Sequence, residues 1–166
     1  MPLIMHQEKQ SDQQIKHVIA VAAGKGGVGK STITVHLARA LVRCGYQVGI
    51  LDADIYGPSI RKMVREDTLP FQEGNELFPA MSDGIKIMSM AFFRKEQEAA
   101  AFRAPIVSSL ITQFMKDVSW GNLDYLLIDF PPGTGDCHLT ICQQAMITGA
   151  IMVTTPQEVA LQDVRK

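Results

Sequence analysis

The chain has 166 residues, 46% of them hydrophobic, with a mean hydropathy of +0.07, which suffices for one α/β domain with its own core. A net charge of −1 and a pI near 6.4 supply no bulk attraction for nucleic acid or an anionic membrane, so neither is expected as a partner. No apolar run is long enough to span a bilayer, MPLIMHQEKQSDQQIK suits neither a signal nor a transit peptide, and Cys44, Cys137 and Cys142 form no CxxC pair, so the expected compartment is the cytoplasm.

Residues 1–16 are polar, Gln-rich and without period, and are read as a lead-in to one domain over 17–166. Residues 18–31 read VIAVAAGKGGVGKS: a short β-branched run of the kind that forms a buried parallel strand, then a glycine-rich turn. Gly24, Gly29, Lys30 and Ser31 satisfy GxxxxGK[ST]. In such a loop the backbone of Gly24, Lys25, Gly26, Gly27, Val28 and Gly29 closes around phosphate oxygens, and the next helix, through Lys30, Ser31 and Thr32, offers free N–H groups and its positive dipole end. Lys30 is expected to reach the β and γ phosphates of ATP, and Ser31 to ligate Mg²⁺. A rival reading exists, because Gly24, Gly26 and Gly29 also spell GxGxxG, and Asp52 follows at about the distance of a Rossmann ribose acid. Lys30 and Ser31 directly after the last glycine favour the triphosphate.

Residues 32–44 place Val35, Leu37, Ala38, Leu41 and Val42 at helical spacing and stop at Gly45, predicting the first crossover helix. His36 within it reads as a packing or surface residue. Residues 46–51, YQVGIL, predict a second strand that delivers Asp52 and Asp54 to its C-terminal end, where open α/β sheets bind ligands. IYGPSIRKMV predicts a turn and short helix, 65–75 an insertion or loop, and 76–90 a hairpin turning at Ser82, Asp83 and Gly84. Phe92, Phe93 and the RKEQEAA run read as a mobile segment or short exposed helix. A helix is predicted over 105–118 and a strand over 123–130, LDYLLIDF. Asp129 at the end of so apolar a strand has the form of a Walker B acid whose charge hydrated Mg²⁺ would offset. PPGTGD gives a turn suited to sensing a γ-phosphate. A helix over 139–147, a strand over 150–154 and a helix start at Thr155, Pro156 and Glu158 complete the pattern. The expected fold class is α/β, a mainly parallel doubly wound sheet of the P-loop NTPase type.

GKGGVGKST, LDADIYGPSI, DYLLIDFPPGTGD and VTTPQEVALQDVRK together resemble the Mrp/ApbC family of iron–sulfur cluster carrier ATPases, over nearly everything from 18 to 166. The wider class includes the cell-division and plasmid positioning ATPases. The resemblance implies a homodimer that binds ATP and Mg²⁺, hydrolyses ATP slowly, holds a labile iron–sulfur cluster and passes it to apo-proteins, with cluster-assembly proteins as further partners. Lys25 resembles the signature lysine that such deviant Walker A proteins send across the dimer. Lys30 and Ser31 resemble the phosphate and Mg²⁺ residues, Asp54 the switch acid orienting the attacking water, and Asp129 the Walker B acid. Asp52 joins Ser31 and Asp129 as an expected Mg²⁺ residue. Asp163 stands where relatives pair an acid with the signature lysine.

Three departures accompany the match. Phe102, Arg103, Ala104 and Pro105 replace the usual WRGP, and His36 takes a position commonly held by Asn. The family's adenine-reading Asn and cluster-holding CxxC are absent, so the sheet is expected to lack its C-terminal strands and helices, leaving a marginally stable chain that binds ATP weakly. Cys137 stands at a distance from the switch like that of a cluster cysteine in the nitrogenase iron protein, and is the one candidate cluster ligand. Against it, free cysteines are usually small buried hydrophobes, and two thiolates fall short of four ligands. Alternative functions are a positioning ATPase, disfavoured by the lack of a basic amphipathic helix, and a non-catalytic fragment.

Overall fold

The computed structural model describes residues 14–54, 57, 59–93, 104–133, 136–157 and 160. In chain order the elements are β1 (Ile15–Ala22), α1 (Lys30–Arg43), β2 (Val48–Asp52), α2 (Ile60–Met63), β3 (Phe71–Glu73), β4 (Glu76–Phe78), β5 (Ala80–Ser82) and β6 (Ile85–Ser89). A 3₁₀ turn (Met90–Phe93) follows, then α3 (Ala104–Asp117), β7 (Leu123–Asp129), α4 (Asp136–Gln144) and β8 (Gly149–Met152).

The six-stranded sheet runs β5-β6-β2-β7-β1-β8, all parallel except β5, which pairs antiparallel with β6. β2 and the last four residues of β7 are buried throughout, as strands covered on both faces must be. The period of two sorts their side chains between two cores. Leu51, Met88, Leu126 and Ile128 face Ile111, Phe114 and Val118 from α3 and the segment after it, with Ile141 of α4. Val48, Ile50, Ile85, Ile87 and Leu127 face Val35 and Ala38 of α1 and Ile60 of α2. Helices on both faces of a mainly parallel sheet make the doubly wound architecture that the sequence predicts. β8 is the edge strand beside β1, and its Met152 is 48% exposed.

Several boundaries differ from expectation. β3, inside the 65–75 stretch read as a loop, pairs with β4 in a hairpin turning at Gly74, whose φ is +60°. Three-residue strands carry too little alternation to reveal themselves, and the stacking of Phe71 on Phe78, at 4.8 Å, joins residues on either side of the assumed boundary. The hairpin that turns at Asp83 and Gly84 is correspondingly shorter, with β5 against β6 alone. α4 starts three residues before the expected 139 and ends before Met146, which takes a φ of +45°. Residues 94–103, Glu158 and Asp163 lie outside the described residues.

Candidate functional site

Strand order brings the chemistry together. β1, β7 and β2 are adjacent and parallel, so the loop after β1 and the acids ending β7 and β2 meet at the carboxyl end of the sheet. Asp52 and Asp129 are register partners across β2 and β7, and Asp52 and Ser89 across β2 and β6. Such a carboxyl-end crevice is where open α/β sheets bind ligands.

Glycine geometry shapes the loop. Gly27 and Gly29 have φ of +79° and +93°, a region that side chains disfavour, and Gly29 is the N-cap of α1. The first turn closes by Ile33 N–H donating to Gly29 C=O at 2.9 Å, so α1 opens at Lys30, two residues before the expected start. Lys25 is exposed on the loop, whereas Lys30 is 7% exposed and Ser31 8%. The turn after β7 packs on the same loop: Gly133 N–H donates to Ala23 C=O at 3.2 Å. On its other side His138 Nε2–H donates to Pro131 C=O at 2.9 Å, leaving Nδ1 buried and without a partner.

Asp129 is the hub. It is fully buried, and its Oδ2 lies 2.8 Å from Lys30 Nζ and accepts from Ser31 Oγ at 2.6 Å. Its Oδ1 accepts from Thr34 Oγ1 at 2.8 Å. The chain itself therefore supplies three partners for this buried carboxylate. Lys30 Nζ also donates to Ser31 Oγ at 3.3 Å. An ammonium has three donors, so one remains beyond these two contacts.

Asp52 is fully buried too, accepting from Ser89 Oγ at 2.9 Å and from Asp54 N–H at 3.1 Å. Burial first, and then the charge of Asp129, push its carboxyl up to about 7. Asp54, 7% exposed, accepts from Gly57 N–H at 3.0 Å.

Hydroxyl and carboxylate oxygens from Ser31, Asp52 and Asp129 form a hard donor set, which fits Mg²⁺ and its habit of keeping few protein ligands. No group of three or more His, Cys, Asp or Glu side chains able to hold a metal occurs among the described residues. Cys44 and Cys142 are free and exposed, and the side chain of Cys137, the second residue of α4, lies outside the described residues.

Sequence reasoning missed Thr34, Ser59 and Ser89. Thr34 had a signal, since it lies one turn after Lys30 on the same helix face and interrupts an apolar stripe. Ser89 ends its strand level with Asp52, but only strand pairing makes that visible.

A glycine-rich loop between a parallel strand and a helix, with a buried acid on the neighbouring strand end, defines a P-loop NTPase fold. The nucleotide-binding protein of Archaeoglobus fulgidus, solved in complex with ADP, superposes with a TM-score of 0.73 at 41% identity, over 91% of this chain and 60% of that one. The cell-division ATPase MinD of Pyrococcus furiosus superposes at 0.64, and its 21% identity speaks to fold alone. The chain belongs to the ParA family described as NUBPL iron-transfer P-loop NTPase, whose model matches residues 14–166. Iron-sulfur cluster carrier proteins of Methanocaldococcus jannaschii and Haemophilus influenzae are 52% and 49% identical to it, over 95% and 92% of this chain. The chain spans about half the length of these relatives, 56% and 42% respectively.

Proposed function

We propose that the protein binds Mg·ATP and hydrolyses it slowly as a homodimeric iron–sulfur cluster carrier that delivers clusters to apo-proteins. The observation that carries the reading is the convergence of Lys30 and Ser31, from the loop and α1, on Asp129 at the carboxyl end of the sheet. Amides of residues 24–32 hold phosphate oxygens, and Lys30, with one donor to spare, neutralises the charge that grows on the transferred phosphoryl group. Lys25, exposed at the front of the loop, adds a second cation there, from this subunit or across a dimer. Ser31, Asp52 and Asp129 would hold Mg²⁺, which would supply neutralisation of phosphate charge. Asp54 accepts a hydrogen bond from the attacking water and orients it.

The cluster is cargo. Support for it comes from the family and from the carrier relatives, with Cys137 directly following the switch turn in sequence. Anaerobic reconstitution with iron and sulfide, followed by transfer to an apo-ferredoxin, tests the reading. ATP-dependent appearance of holo-ferredoxin supports it. Failure to take up iron while hydrolysing ATP would leave an ATPase without the carrier role, and ATPase activity stimulated by DNA or vesicles would favour a positioning protein.

A further inference from the structure

Ser59 precedes α2 as its N-cap residue, yet its side chain makes no capping bond to that helix. Serine at this position normally spends its oxygen on the helix's free N–H groups. Here the hydroxyl is turned back toward the phosphate loop, 3.2 Å from Ser31 Oγ and 3.1 Å from the Gly57 carbonyl. We propose that Ser59 is a positioning residue whose single hydroxyl proton is shared between Ser31 and Gly57, so that cation ligation by Ser31 is transmitted to the loop holding Asp54. The proposal rests on the nucleotide-binding reading above.

Counting donors and acceptors carries the argument. A serine hydroxyl has one proton and two lone pairs. Ser31 gives its proton to Asp129 Oδ2, and its lone pairs face Lys30 Nζ at 3.3 Å and Ser59 Oγ at 3.2 Å. Both lone pairs are engaged. When Ser31 gives one of them to a cation, a donor must release it. Ser59 has a second acceptor already in reach, the Gly57 carbonyl, and its proton goes there.

Gly57 in turn donates its N–H to Asp54 Oδ1 at 3.0 Å. A full bond from Ser59 to the Gly57 carbonyl therefore closes a short circuit, Ser59 to Gly57 to Asp54, and firms the contact that aims Asp54. The lever is anchored, because the next residue, Ile60, is fully buried against α1. Lys62 N–H donating to Ser59 C=O at 3.1 Å couples the same residue to α2.

The test uses wild type, Ser59→Ala and Ser59→Thr, which keeps the hydroxyl. Amide exchange at Gly57 and Lys62 is compared in ADP with Mg²⁺ and in ADP with EDTA. Mg²⁺ is expected to slow exchange about three- to tenfold in wild type and Ser59→Thr, and to leave it within about twofold in Ser59→Ala. In steady-state ATP hydrolysis, Ser59→Ala is expected to lose about tenfold in kcat with KM within about twofold, and Ser59→Thr to recover it. Protection in Ser59→Ala equal to wild type, or Ser59→Thr as impaired as Ser59→Ala, overturns the proposal. Wild type that binds Mg·ADP by calorimetry without protecting these amides overturns it alone. Wild type that binds no ADP overturns the nucleotide reading and the proposal with it.

Discussion

Replacing Lys30 with methionine removes the cation from a carboxylate that has no access to water. Asp129 is 0% exposed and Lys30 7%, with 2.8 Å between their charged atoms, so solvent screens the pair little. Breaking a buried pair from one side costs about 3–5 kcal/mol, because the remaining charge stays uncompensated. Ser31 and Thr34 still donate to Asp129, which places the expected loss for Lys30→Met near the lower end, about 3 kcal/mol. At this chain length that is a fall in Tm of about 6–12 °C. Asp129→Asn leaves the ammonium buried and is expected to cost a similar amount, whereas the double variant removes both charges. The double variant is therefore expected to lose at least about 2 kcal/mol less than the sum of the single losses. The chain's single tryptophan, Trp120, is fully buried, so its fluorescence in urea titrations with EDTA reports unfolding. Additive single losses, within about 0.5 kcal/mol, would refute the reasoning.

Asp52 should make the metal-free protein less stable as pH rises. Its folded value near 7 lies above the ordinary aspartate value of 3.8, so the folded state holds the proton more tightly than the unfolded chain. That contribution is complete below the unfolded value and is lost as pH rises through 7, up to about 3 kcal/mol between pH 5 and 8. Asp52→Asn, measured in EDTA, should flatten the slope, and identical slopes in both proteins would contradict the assignment. Gly49→Ala places a Cβ 2.8 Å from Leu123 Cδ1 and 3.1 Å from Trp120 Cζ3 in the central strand. A loss of about 1–3 kcal/mol is expected by chemical denaturation, and an unchanged midpoint would show that this core has room. Thr34→Val keeps shape but strips a hydroxyl from Asp129, so a loss of about 1.5–3 kcal/mol is expected by the same titration, while a neutral result would mean the contact is idle.

The site was legible where chemistry depends on local spacing. GKGGVGKS states the loop's glycine geometry, its lysine and its serine within a few residues, and LDYLLIDF announces an acid at a strand end because an apolar run rarely finishes on a charge. The doubly wound sheet was legible from the alternation of such runs with amphipathic helices. What lay hidden depends on contacts between segments distant in sequence. Thr34 bonds Asp129 across 95 residues, and Ser89 bonds Asp52 across 37. No period or motif encodes those pairings, which follow only once β2, β6 and β7 lie side by side. The contact of Lys30 with Asp129 went unseen for the same reason, since sequence gives charge but not distance. The β3–β4 hairpin escaped notice because three-residue strands fall below the length at which alternation can be told from chance.

Calorimetric titration of ATP into the chain, with Mg²⁺ and then with EDTA, tests the central claim most directly, alongside Lys30→Met and an NAD control. Heat from a single site per chain is expected for ATP, tighter with Mg²⁺, at least about tenfold weaker in Lys30→Met, with none for NAD. Binding of NAD without ATP, or ATP affinity unaltered by Lys30→Met, would contradict the account.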